Sequence, residues 1–534
     1  AVHFSFSVQS GGSLCMKESV LFLINGRFLS KGKKMRFKKK KVEPMKIQDI
    51  TIIDNARLKK AITAAALGNA MEWFDFGVYG FVAYALGQVF FPGADPGVQM
   101  IAALATFSVP FLVRPLGGIF FGAMGDKFGR QKVLSITIII MSVSTFCIGL
   151  IPSYESIGIW APILLLLAKL AQGFSVGGEY TGAAIFVAEY SPDRRRGFLG
   201  SWLDFGSIAG FVMGAGVVVL ISSIVGEESF LDWGWRIPFF IAAPLGLIGI
   251  YLRHALEETP TFQQHVDNID KESKDSIQSP PKISLREIVT KQWKGLLICI
   301  GMVISTNVTY YMLLTYMPSY LSHSLNYSED HGVMIIIAVM IGMLFVQPVM
   351  GLMSDRYGRR PFIICGSIGL LLLSVPSFIL INSDVIGLIF CGLLMLAVLL
   401  NSFTGVMAST LPALFPTHIR YSALATSFNV SVLVAGFTPT AAAWLVESTG
   451  NLYMPAYYLM VIGLIGLITG MSMRETANQP LKGATPAASD RTEAKELLQE
   501  QYDNIEQKIE EIDEQITELE KKRKRLTEQH PEIN

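Results

Sequence analysis

GAMGDKFGR (Gly122–Arg130) and GLMSDRYGR (Gly351–Arg359) are two copies of one pattern, 229 residues apart. Each opens on Gly and sets Asp four residues before an Arg that Gly immediately precedes. Each lies between two long apolar runs, so each marks a polar turn. SPDRRRG (Ser191–Gly197) has a weaker echo in FPTHIRY (Phe415–Tyr421), 224 residues later. A polar turn that recurs once, at half-chain spacing, points to a duplicated unit built of apolar segments.

Composition says what those segments are. The chain has 534 residues, 51% hydrophobic and only 16% charged, with mean hydropathy +0.44. A soluble domain carries about 25% charged residues. A membrane span needs roughly 20 apolar residues to cross ~30 Å of hydrocarbon. Apolar segments fall at 62–91, 98–122, 133–151, 159–188, 198–222 and 236–254, then at 294–321, 332–353, 361–381, 385–413, 422–446 and 452–473. The predicted fold is an all-α membrane protein, with twelve transmembrane helices in two six-helix halves. Those halves are 62–254 and 294–473, joined by a polar linker at 255–293.

Loop charge orients the chain. One set of loops holds Lys127, Arg130, Lys132, Arg194–Arg196, Lys271–Lys294, Arg356, Arg359, Arg360 and Arg420. The other holds Asp95, Glu155, Glu227, Glu228, Asp232, Glu329, Asp330, Asp384 and Glu447, with Arg236 its one basic residue. Basic loops stay on the cytoplasmic side. Both termini are therefore expected in the cytoplasm, which an even number of spans allows. Residues 1–34 are expected to be an upstream or added segment before a native start at Met35. A basic N-terminal region follows at 35–61.

Away from the span ends, six Asp, Glu, Lys or Arg residues fall inside the spans: Glu72, Asp75, Arg114, Lys169, Glu179 and Asp204, all in the first half. The bodies of spans seven to twelve hold no Asp, Glu, Lys or Arg. Each such group costs about 2.5–3.5 kcal/mol at the bilayer centre on insertion scales. Four acids against two bases is an imbalance, and an apolar setting favours the protonated form of a carboxyl group. That is the chemistry of a proton-coupled carrier. Glu72 and Asp75 lie on neighbouring positions of one helix face, which Tyr79 continues. One of the two acids is expected to carry the proton, the other to pair with Arg114 or Lys169. Lys169, Gln172, Val176 and Glu179 form one stripe of span four. Lys169 and Glu179 stand ~15 Å apart along it, so each needs a partner elsewhere. Asp204 reads as an interfacial or structural residue near the cytoplasmic face. The competing reading of the whole set is a salt-bridge network that only holds spans together. Arg114 precedes Pro115, where the helix is expected to open locally.

The repeated turn resembles the G-x-x-x-D-[RK]-x-G-R-[RQ] motif of the major facilitator superfamily. Lys169-x-x-Gln172-Gly173-x-x-x-Gly177, EETP (Glu257–Pro260) and RET (Arg474–Thr476) resemble its other motifs. GNAMEWFDFGVYGF, RPLGG and QGFSVGGEY resemble the metabolite:proton symporter branch. Within it, residues 35–534 look like the osmosensory proline/glycine betaine:proton symporters of Gram-negative bacteria. The resemblance implies the major facilitator fold in the inner membrane. It implies import of proline, glycine betaine and related zwitterions with protons, active when osmolality rises.

With zwitterions as substrates, Arg114 offers a planar fork for the carboxylate. A quaternary ammonium favours aromatic faces, for which Trp73, Phe76, Tyr79, Tyr180, Tyr310, Tyr311 and Tyr316 are available. Asn307 is a polar candidate from the second half. Proton coupling falls to Glu72, Asp75, Lys169 and Glu179. The repeated turns supply gating candidates: Gly122, Asp126 and Arg130, and Gly351, Asp355 and Arg359. The glycines permit close helix contact, and the charged pairs suit cytoplasmic interspan bridges.

After Arg474 comes a Pro/Ala/Gly-containing linker at 474–490. Leu498, Tyr502, Ile505, Ile509, Ile512, Ile516, Leu519, Arg523 and Leu526 then recur at spacings of four and three, so 491–534 reads as a cytoplasmic coiled coil. Arg523 in the seam weakens the coil, as suits a reversible contact. Resemblance suggests an antiparallel homodimer. KKRKR (Lys521–Arg525) suits anionic lipid, at about 1 kcal/mol per basic residue.

Cys15, Cys147, Cys299, Cys365 and Cys391 show neither disulfide nor zinc spacing. No cofactor, metal or nucleic-acid partner is expected, the proton being the coupling ion, and no enzymatic constellation stands out. The rivals are a symporter for a carboxylic acid metabolite and a membrane sensor that no longer transports.

Overall fold

The computed structural model describes residues 46–93, 96–128, 130–254, 285–321 and 329–529. Residues 1–34, the EETP stretch and 255–284 of the linker lie outside them. The chain divides into two compact units: Ile53–Ser489, and a second made of the chain ends, up to Ile52 and from Asp490.

Among the described residues of the first unit twelve helical rods follow one another. Those of the first half are Asn55–Phe90, Pro96–Phe128, Arg130–Leu150, Trp160–Val176 continued by Glu179–Tyr190, Arg196–Val225 and Ile237–His254. Those of the second are Leu285–Tyr310 continued by Tyr311–Tyr316, Glu329–Tyr357, Arg360–Ile381, Ile386–Thr410, Arg420–Ala435 continued by Thr438–Thr449, and Met454–Ser472. Eight helices among the described residues are long and apolar enough to cross a membrane.

Local chemistry sets the ends. Asp54 caps span one by accepting the Ala56 N–H at 2.9 Å, which starts the helix before the apolar run does. Proline sits in the first turn of spans nine and twelve, where its missing N–H costs nothing. Span eight ends at Gly358 with φ +92°, a conformation glycine adopts without a Cβ penalty. The glycine before the motif's Arg is thus a backbone requirement.

Span two runs unbroken through Pro110 and Pro115. The opening expected beside Arg114 does not occur, because span four packs directly on that stretch. A Cβ on Gly173 would strike the Pro110 backbone, and one on Gly177 the Gly117 backbone. Departures from α-helix lie elsewhere. Span four is interrupted at Gly177–Gly178, and span seven becomes π-helical at Tyr311–Tyr316.

The half-chain repeat reappears in the packing. Span two lies against span eleven, and span eight against span five. A Cβ on Gly122 would stand 3.2 Å from the Ser422 Cα, and one on Gly351 would stand 2.8 Å from the Gly197 carbonyl oxygen. Small residues let helices approach closely where lipid gives no hydrophobic drive for association.

Residues 474–489 lie across the ends of both halves. The Gln479 carbonyl accepts from Arg196 (2.9 Å), and the Lys482 carbonyl from Arg420 (2.9 Å) and the Thr417 N–H (3.1 Å). The Lys482 ammonium donates to the Leu414 carbonyl at 2.7 Å, and the Ala487 N–H donates to Asp193 at 3.1 Å.

In the second unit Arg491–Gln529 is one 39-residue helix. Asp490 caps it, accepting the Thr492 and Glu493 N–H groups at 2.8 Å. Along the heptad stripe Tyr502, Ile505 and Leu519 are exposed and Leu498, Ile509, Ile512 and Ile516 half-buried. The side chains of Arg523 and Leu526 lie outside the described residues.

Candidate functional site: a central cavity and a buried polar network

Spans one, two, four and five bring the first-half charges together, and each is buried. Arg114 on span two donates to Glu72 on span one at 3.1 Å and to Asn429 on span eleven at 3.1 Å. The pair therefore reaches across the two halves. Asp75, one turn from Glu72, accepts from Thr145 and Gln172. Gln172 in turn accepts from the Lys169 ammonium at 2.8 Å, and that ammonium stands 3.9 Å from the centre of the Tyr79 ring. Glu179 accepts from Thr137. The helix stripe of span four thus separates its two charges. Lys169 reaches the Asp75 network through Gln172, and Glu179 meets span three.

A cavity lies between the halves beside these groups. Of the residues singled out for substrate in the sequence, Arg114, Trp73, Tyr180, Asn307, Tyr310 and Tyr311 line it. Phe76 stands behind, stacked on Phe111 at 5.8 Å. Tyr79 belongs to the Lys169 network, and Tyr316 packs on Tyr320 at 5.8 Å. Of the further lining groups, two had no clear signal in the sequence and a third was expected elsewhere. Phe428 of span eleven stacks on Tyr180 at 4.9 Å, with the Arg114 guanidinium 5.9 Å from its centroid. Thr404 comes from span ten. The third is Asp204, whose two carboxylate oxygens each accept from the Tyr180 hydroxyl at 3.1 Å. Asp204 is 4% exposed and lines the cavity. The interfacial position expected for it is corrected. The span starts at Arg196, and its first turns are covered by span eight, so Asp204 is already inside.

The cavity wall also holds unused donors. The indole N–H of Trp73 and the hydroxyl of Tyr310 are buried without a hydrogen-bond partner among the described residues. Leaving such a group unsatisfied costs about 1–3 kcal/mol. With Arg114 they give the cavity one cationic and two unused neutral donors, on walls that also carry Ser207, Thr306, Asn307, Thr404 and Asp204 among aromatic rings.

The repeated turn builds contacts between halves at one end of the bundle. Asp355 accepts the N–H groups of Gly197 (2.6 Å) and Phe198 (2.8 Å), at the start of span five. Its distance to Arg359 is 4.0 Å. Arg359 is fully buried and donates to the Ser409 carbonyl at 3.0 Å. Side chains of Asp126 and Arg130 lie outside the described residues. Beside these contacts Glu189 and Arg420 form a fully buried ion pair at 2.6 Å, and Tyr421 donates to the Gly178 carbonyl at 2.8 Å. Glu475, of the RET stretch, accepts N–H groups from Arg359, Arg360, Thr476 and Ala477 at 2.7–3.0 Å. Burial raises its carboxyl, but those four donors outweigh it and hold the group below its ordinary value of 4.5.

The fold and the charged central cavity define a multi-pass membrane transport protein rather than an enzyme. The chain belongs to the sugar (and other) transporter family, whose model matches residues 60–488, and residues 489–534 match the osmosensory transporter coiled coil. It is 77% identical over 500 residues to the glycine betaine/proline/ectoine/pipecolic acid transporter OusA of Dickeya dadantii, covering 94% of this chain and 100% of that one. It is 76% identical over 497 residues to the proline/betaine transporter of Escherichia coli K12, covering 93% and 99%. Among solved structures it matches the major facilitator proton:xylose symporter XylE with TM-score 0.67 at 17% identity, over 83% of this chain and 99% of that one. That likeness shows the major facilitator fold.

Proposed function

We propose that this chain imports zwitterionic osmolytes, proline and glycine betaine among them, across the bacterial inner membrane together with protons. Both termini lie in the cytoplasm, and the tail adjusts activity to osmolality. The observation that carries the reading is the cavity itself. It offers one guanidinium and two unused neutral donors for a carboxylate, beside aromatic faces suited to an ammonium group. The relatives' names, and the match of the tail to an osmosensory coiled coil, support the same substrates and the same control.

Within this reading the two acids of span one divide the work. Glu72 balances Arg114, so it holds the substrate-binding guanidinium in place. Asp75 has no basic group in direct contact among the described residues, and one of its oxygens is buried without a partner. It is the acid that carries the proton, with Lys169 answering its charge through Gln172. Glu179 assists at the far end of span four. Asp355, Gly351 and Arg359, with Gly122, Asp126 and Arg130, form the cytoplasmic gate. The heptad helix pairs with a second copy through its exposed apolar stripe, and its basic end meets anionic lipid.

The test is uptake of radiolabelled proline and glycine betaine into proteoliposomes, with and without a pH gradient and an osmotic step. Accumulation that needs the gradient and rises with the step supports the reading. Absence of uptake for both solutes overturns it.

A further inference from the structure

Asp204 shares none of the roles given above to Glu72, Asp75, Lys169 and Glu179. Asp204 lines the cavity, and its partner is a neutral phenol, Tyr180. No basic side chain pairs with it within 4 Å among the described residues. Glu72 is balanced by Arg114, Glu189 by Arg420 and Asp193 by Arg196. A buried carboxylate is costly unless something positive meets it. The cavity it faces is the place where a cation can arrive.

The chemistry narrows further. Tyr180 holds the carboxylate symmetrically, one donor shared between both oxygens, and leaves acceptor capacity on each. A substrate ammonium with N–H bonds can donate to those oxygens in a charge-assisted hydrogen bond. A quaternary ammonium cannot donate, and gains chiefly from aromatic faces. The same cavity supplies those faces in the stacked Tyr180–Phe428 pair. Two recognition elements for two kinds of ammonium therefore stand in one site.

Resting on the zwitterion reading above, we propose that Asp204 is the specificity-determining carboxylate for substrates whose ammonium bears N–H. The Tyr180–Phe428 stack serves those that are fully alkylated. Proline is a zwitterion of the first kind and glycine betaine of the second. A carrier that takes both uses the two elements in different proportion, so one substitution changes the ranking of substrates rather than transport as a whole.

The experiment measures half-saturation for proline and for glycine betaine in proteoliposomes carrying wild type, Asp204→Asn, Asp204→Glu or Phe428→Leu, at matched protein amount. Asp204→Asn keeps an acceptor but loses the charge. It should raise the proline value about tenfold or more, close to 1.4 kcal/mol per tenfold, and the betaine value by less than about threefold. Phe428→Leu should do the reverse. Asp204→Glu should recover part of the proline affinity. Equal shifts for both substrates in Asp204→Asn, or no shift in either, overturn the proposal. So does loss of gradient-driven accumulation with both half-saturation values unchanged, which would make Asp204 a proton site. If Asp204→Asn does not reach the membrane, Asp204→Glu and Phe428→Leu still decide through their opposite rankings. Wild type carrying neither solute is a separate result, and it withdraws the function reading together with this one.

Discussion

Asp355→Asn tests the gate, and its magnitude can be worked from the contacts. The carboxylate sits on span eight and straddles the start of span five, with oxygens 2.6 and 2.8 Å from two backbone N–H groups. Asparagine keeps one acceptor oxygen and turns an N–H donor toward the other site. A hydrogen bond to a charged group is worth about 1.5–3 kcal/mol. A charge at a helix N-terminus adds about 0.3–2 kcal/mol. The two overlap, so a combined loss of about 2–3 kcal/mol is reasonable, a factor of about 30–150 in an equilibrium. Because the contact joins the two halves, the loss falls on the state in which this end is closed. The assay is thiol labelling of Ser201→Cys in a background without native cysteines, with an impermeant reagent applied from the cytoplasmic side. Ser201 is 1% exposed and faces Gly351 when this end is closed. Labelling should accelerate by that factor in Asp355→Asn, up to the rate of a freely accessible thiol. An unchanged rate in folded protein would refute the gate assignment of this contact.

Other expectations follow the same logic. Glu189→Gln leaves Arg420 charged and fully buried. Loss of one partner of a buried pair costs about 3–5 kcal/mol, so thermal unfolding in detergent should shift down by several degrees, and Glu189→Gln with Arg420→Met should recover part of the loss. Glu475 has a lowered folded value, so its contribution to stability is complete above 4.5 and is lost as pH falls through that lower value. A stability-against-pH curve of Glu475→Gln should run below wild type near neutrality and converge with it in acid; parallel curves would contradict this. Deleting 491–534 should move the osmolality at which uptake switches on more than it moves half-saturation, and an unchanged activation curve would count against a sensing tail.

The spans were legible because hydrocarbon imposes a length and a polarity that no soluble helix needs. The duplicated turn was legible because its residue types recur at one spacing, and in the second copy each has a physical reason. Gly358 needs its positive φ, and Asp355 needs the N-terminus it caps. That one span-one acid would meet a base was readable from charge balance, though neither which acid, since both share a face of the helix, nor whether the base was Arg114 or Lys169. Phe428 and Asn429 were not legible, because the second half lines the cavity with neutral groups that look like ordinary packing. Asp204 was misplaced because a depth read from an apolar run ignores what covers the helix end. The bonds of 474–489 pass largely through main-chain carbonyls such as those of Gln479 and Lys482, which composition does not encode.

The most direct test of proton coupling uses liposomes loaded with a pH-sensitive dye and held without a membrane potential. Adding glycine betaine outside wild-type protein should acidify the lumen as solute enters. Asp75→Asn should still exchange labelled for unlabelled betaine yet leave the dye unchanged. Lumenal acidification by Asp75→Asn at the wild-type rate would contradict the assignment of proton transfer to Asp75.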